Sequence, residues 1–76
     1  MTEQREDVVS TICRVGQIPP MDDDRDIYDA GFNSIASLEL LLELESAHGV
    51  SIPDDQFVLA RTPRQLRTLV ESLANS

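Results

Sequence analysis

One serine in this chain stands where its neighbours could make it chemically useful. Ser34 lies in the run Asp29-Ala30-Gly31-Phe32-Asn33-Ser34-Ile35, where a polar turn with a glycine leads into a Leu/Glu-rich helix. The N-terminus of a helix presents unpaired N–H groups and partial positive charge, so it favours a phosphate. A serine hydroxyl there is well placed to carry a covalently attached phosphate group. The same position suits a plain helix cap, a role that Asn33 or Ser34 could fill by accepting a hydrogen bond from the first turn. Nucleophilic hydrolysis is a poor fit. Ser34 would need a base, the chain has no lysine, and its one histidine is His48. His48 lies on the same expected helix, about 21 Å away at about 1.5 Å per residue, far outside hydrogen-bond reach. Cys13 reads as a small apolar residue of the first helix. The cluster Asp22, Asp23, Asp24, Asp26 and Asp29 fails the calcium-loop template, because Ile27 stands where glycine is needed and Asn33 where the last glutamate should be. It reads as a solvated loop.

The elements that must position Ser34 follow from apolar spacing. Residues 3 to 15 read as a helix with Val8, Ile12 and Val15 on one stripe and Val9 beside it, ending at Gly16. A long connection over about residues 17 to 32 holds Pro19-Pro20 and the acidic cluster. Connections of that length are uncommon and often functional, and Ile18, Met21, Ile27, Tyr28 and Phe32 are the residues able to pin it to a core. The second helix is expected over 34 to 48, with Gly49 as its stop. Leu40, Leu44 and Ala47 share one face with Leu41 at its edge, and Glu39 and Glu43 lie opposite. Ile35, Leu38 and Leu42 form a second strip nearer Ser34. That strip is either core or an exposed docking surface. Residues 50 to 53 are an extended link, Asp54 and Asp55 open a short helix to about Ala60, and Thr62-Pro63-Arg64-Gln65 opens the last helix with a cap, a first-turn proline and a capping-box glutamine. Leu66, Leu69, Val70 and Leu73 give its stripe. The expected fold is all-α: a small four-helix bundle of three longer helices and one short one, with a long first loop, in one domain over residues 1 to 76.

Fourteen acidic residues against six arginines give a net charge of −8. Such a charge repels nucleic acid and anionic membrane and favours basic protein partners. A single cysteine suits a reducing cytoplasm, and no run is long and apolar enough for a membrane span. There is no Cys/His set for a metal and no basic patch with aromatic residues for nucleic acid.

The run Asp-x-Gly-Phe-Asn-Ser-Ile, then Leu38-Glu39-Leu40, then Ile52-Pro53-Asp54, resembles the acyl carrier protein family over nearly the whole chain. The resemblance implies that Ser34 receives a 4′-phosphopantetheine arm from coenzyme A, and that the chain is a carrier with no catalysis of its own. It implies three kinds of partner: a phosphopantetheinyl transferase, an acyl or aminoacyl loading ligase, and downstream transferases with basic docking patches. It also implies docking through Ile35, Leu38, Glu39, Leu42, Glu43 and Glu45. Asn33 stands where fatty-acid carriers often have aspartate, and the chain looks like the stand-alone carriers of specialised pathways, which include aminoacyl carriers. The competing reading is an acidic helical interaction module without a cofactor, in which Ser34 is only a helix cap.

Overall fold

The computed structural model describes residues 7–75, which form four α-helices and one 3₁₀ turn. Helix α1 spans Val8–Gly16, α2 spans Ser37–His48, α3 spans Asp54–Leu59 and α4 spans Pro63–Ala74; the 3₁₀ turn Ser34–Ala36 leads directly into α2. The helical architecture expected from the sequence is present, with no strand among the described residues.

Helix α1 differs from expectation at both ends. Its start is Val8, because the Asp7 side chain accepts from the Val9 N–H at 3.2 Å and caps the helix. Residues 3 to 6 of the expected helix lie outside the described residues. Val8 and Ile12 are buried as the stripe requires, and Thr11 is buried with them, its hydroxyl donating to the Asp7 carbonyl. Gly16 does not stop the helix but belongs to it. The chain turns one residue later, at Gln17, with φ 55° and ψ 48°. Gly16 is glycine for space: a Cβ there would stand 2.8 Å from Cε1 of Phe32 and closer still to Cδ1. Gly49 is the reverse case. It ends α2 at φ 65°, and a Cβ there would meet nothing within 4 Å, so only its backbone conformation calls for glycine.

The long connection is anchored in two ways. Ile27 and Phe32 are buried, with Ile18, Met21 and Tyr28 packed against the same core. The acidic cluster, expected as a solvated loop, is instead largely paired with arginines at the start of α4. Asp26 meets Arg61 at 2.7 Å, Asp24 meets Arg64 at 2.7 Å, and Asp23 meets Arg67 at 3.1 Å. Arg67 also reaches Asp7, tying the α1 cap to the same node. Backbone bonds run alongside: Ile27 N–H donates to the Arg61 carbonyl at 2.8 Å, and Arg64 N–H donates to the Asp23 carbonyl at 2.9 Å. The second bond satisfies one of the free donors that every helix N-terminus carries.

Leu40, Leu41 and Leu44 of α2 enter the core beside Ile52, Phe57, Leu66 and Val70. Leu69 and Leu73 complete the α4 stripe as partly buried residues. Thr62 accepts from Gln65 N–H, and Gln65 reaches back to Arg61 N–H at 2.8 Å, so the capping box closes one residue outside the cap. Helix α3 ends at Leu59, one residue before the expected Ala60.

Two outcomes follow for stability. Gly16→Ala should destabilise the fold by about 1–3 kcal/mol through overpacking against Phe32, and Gln17→Gly should stabilise it by about 1 kcal/mol by relieving left-handed backbone; denaturant midpoints measure both. The carboxyls of Asp24 and Asp26 are held below the ordinary aspartate range, first by hydrogen bonds from Arg64 and Arg61 respectively. A depressed folded pKa stabilises above the unfolded value, near 3.8, and that stability is lost as pH falls through the folded value. The stability difference between the wild type and the double variant Asp24→Asn/Asp26→Asn should therefore be full at pH 6 and shrink as the pH falls below about 4.

Candidate functional site

Ser34 is presented by a cap that it does not itself provide. Asn33 holds extended backbone (φ −78°, ψ 125°), and its side-chain oxygen accepts from Ile35 N–H at 2.8 Å. The Asn33 carbonyl accepts from Ala36 N–H at 2.9 Å, and the Ser34 carbonyl accepts from Ser37 N–H. The first donors of the turn are thus met by Asn33 and by the backbone. The Ser34 side chain is exposed and makes no hydrogen bond to any described residue. Of the two residues able to cap this turn, Asn33 does so and the serine hydroxyl is left over.

The two residues before the cap steer it. Gly31 turns the chain at φ 109°, and Phe32 plunges into the core. Two residues further on, the serine is in solvent. His48 sits at the far end of α2 with its Nε2 buried and unbonded, so no base faces Ser34 from that side. Burial pushes the Cys13 thiol up, which makes it a poor nucleophile. No group of three or more metal-ligating side chains occurs among the described residues.

The second strip of α2 is exposed. Ile35 is 87% exposed, Leu38 63% and Leu42 55%. Of the two readings for this strip, core or open surface, the structure bears out open surface. Glu39 is exposed beside it. Glu43 lies half-buried, in an ion pair with Arg14 of α1 at 3.0 Å, so it faces α1 rather than the side opposite the core. Glu45 accepts from Ile52 N–H at 2.8 Å and pins the link between α2 and α3. Ile35, Leu38, Glu39 and Leu42 therefore share open surface with Ser34, while Glu43 and Glu45 have internal partners.

Val58 and Leu59 of α3 are also exposed, and sequence reasoning missed them. Beside the strip, Ser37, Leu38, Leu41, Asp54, Phe57 and Val58 line a surface groove of about 230 Å³ between α2 and α3. Three successive apolar residues, Phe57, Val58 and Leu59, in so short a helix gave no sequence signal for which of them face solvent.

The sequence has counterparts in known proteins. Residues 6–70 match the family model described as "Phosphopantetheine attachment site". A 42-residue stretch is 48% identical to the actinorhodin polyketide synthase acyl carrier protein of Streptomyces coelicolor, covering 55% of this chain and 49% of that protein. A 48-residue stretch is 40% identical to the aminoacyl carrier protein of Agrobacterium fabrum, covering 58% of each. The matched stretches thus span about half to three-fifths of these curated relatives. No solved structure matches the chain.

Proposed function

From the chain's membership in the phosphopantetheine attachment-site family of carrier proteins, which the match over residues 6–70 establishes, we propose that it bears 4′-phosphopantetheine on Ser34 and presents acyl or aminoacyl cargo to partner enzymes. The observation that carries this reading is the exposed Ser34 hydroxyl, free of any hydrogen bond to the described residues because Asn33 supplies the cap. The residues present fit the group: a phosphodiester on this oxygen points into solvent and displaces no internal contact. When bound, the arm supplies a terminal thiol on which cargo is held as a thioester.

The chain's own contribution is presentation. Asn33 closes the turn without use of the Ser34 hydroxyl. Phe32 and the Asp26–Arg61 pair hold the segment leading to it. Ile35, Leu38 and Leu42 offer an apolar surface next to the attachment point, bordered by Glu39. A surface of that make-up suits a partner with an apolar contact flanked by basic residues, as a phosphopantetheinyl transferase or a loading ligase would provide. Glu43 would add charge at the edge of this surface while paired with Arg14, and Glu45 contributes chiefly by fixing the α2–α3 link. A cytoplasmic setting agrees with one free cysteine; no helix among the described residues is long and apolar enough to cross a membrane.

For cargo, we assign a small acyl or aminoacyl group. The two relatives named above are called an acyl and an aminoacyl carrier. The groove between α2 and α3, lined by Ser37 and Leu38 among others, is about 230 Å³, room for a short group. An acidic interaction module without cofactor would need Ser34 as a structural cap, and Asn33 fills that place.

Ser34→Ala should fold like the wild type, since it removes no hydrogen bond to a described residue. It should take up no arm from coenzyme A with a broad-specificity transferase, as read by intact mass. Glu39→Lys should slow that transfer at low salt, and the gap to wild type should narrow as salt rises, because exposed charges are screened within about 8–10 Å at physiological ionic strength.

A further inference from the structure

Between Asp26 and Phe32 the chain makes a compact turn that is also gripped by one residue distant in sequence, Arg61. Ala30 N–H donates to the Asp26 carbonyl at 3.0 Å, and Phe32 N–H donates to the Ile27 carbonyl at 3.0 Å. The Asp26 carboxylate accepts from Tyr28 N–H at 2.8 Å and from Asp29 N–H at 3.3 Å. Arg61 grips this turn in three ways. Its carbonyl accepts from Ile27 N–H at 2.8 Å. Its Nε donates to Asp26 Oδ2 at 2.7 Å. Its guanidinium carbon stands 4.6 Å from the centre of the Tyr28 ring, within cation–π range. Tyr28 in turn meets Phe32 edge to face, with ring centres 5.9 Å apart and planes at 80°. Phe32 is buried, and the next two residues are the cap Asn33 and Ser34.

We propose that Arg61 is a positioning residue for the modification of Ser34, acting through Asp26, Tyr28 and Phe32 to set the angle at which the serine-bearing turn leaves the core. The proposal rests on Ser34 being the attachment site. Arg61 touches neither the serine nor the exposed strip of α2, so its effect belongs to the orientation of the hydroxyl and not to partner docking. Arg64 and Arg67 belong to the same ladder but act elsewhere. They pair with Asp24, Asp23 and Asp7, which precede the turn and make no bond within it. Arg64 is the built-in comparison: same charge, same helix end, same kind of ion pair, no contact with Tyr28 or Asp26.

The test is steady-state arm attachment by a phosphopantetheinyl transferase with coenzyme A, on full-length chains shown to be folded by circular dichroism. Arg61→Met keeps the apolar stem and removes the charge. It should lower kcat between about twofold and thirtyfold, the range for coupling carried through packed contacts, with KM for the carrier unchanged. Asp26→Asn keeps an acceptor for Tyr28 N–H while weakening the grip of Arg61; it should shift kcat in the same direction and carries the test if Arg61→Met does not fold. Arg64→Met should leave kcat and KM at the wild-type values. Tyr28→Leu should lower kcat, and adding Arg61→Met to it should cost less than the two losses combined, as expected for residues in one contact chain. Wild-type kcat in both Arg61→Met and Asp26→Asn, an equal loss in Arg64→Met, or a change confined to KM would each overturn the proposal. Ser34→Ala run alongside separates the two claims. If it accepts the arm, the attachment site itself is wrong; if it stays bare while Arg61→Met loads at the normal rate, only the positioning role fails.

Discussion

Phe32 packs against the bare backbone of Gly16, and the exposure of Ser34 depends on that seat. A buried aromatic residue two positions before an exposed serine forces the chain to cross from core to solvent within one turn. The ring needs room beside α1, and Gly16 supplies it by having no side chain. Burying a phenylalanine is worth about 1.5–3 kcal/mol, so Phe32 is one of the anchors that hold the crossing point, together with Ile27. Once Phe32 is fixed, Asn33 falls in extended backbone where its side chain reaches Ile35 N–H, and the next residue has nowhere to point but outward.

The acidic loop solves a related problem. Five aspartates within eight residues repel one another, and a long unstructured connection would otherwise be free to move away from the core. Arg61, Arg64 and Arg67 recur at one-turn spacing and meet Asp26, Asp24 and Asp23 in reverse order, so loop and helix start run antiparallel. Each exposed pair contributes little alone. The buried anchors Ile27 and Phe32 and the two backbone bonds to Arg61 and Arg64 do most of the holding; the pairs add direction and remove the repulsion.

Much of this was legible in the sequence because it rests on local rules. The 3.6-residue spacing put Leu40, Leu44, Leu66 and Val70 inside, Thr62-Pro63 marked the start of α4, and Gly49 marked the end of α2. Serine at a helix start after a glycine turn pointed to the site. What stayed illegible depends on long-range contact. A glycine near a helix end reads as a stop, whether it is there for φ, as Gly49 is, or for space, as Gly16 is. Aspartates in a loop read as solvated until α4 is known to lie beside them. Periodicity alone could not place the second strip of α2, since the helix is apolar almost all round; only packing decides that Leu38 stays out while Leu40 goes in. The choice of Asn33 over Ser34 as cap, on which the chemistry turns, follows from the extended backbone that Phe32 imposes.

The most direct measurement is residue-level mass spectrometry of the protein isolated from its own cell. Trypsin releases one peptide from Asp26 to Arg61 that holds Ser34, Ser37, Ser46 and Ser51. Fragmentation should place the mass of a single phosphopantetheine on Ser34. The same mass on Ser37, Ser46 or Ser51, or a peptide that is uniformly unmodified, would contradict the account.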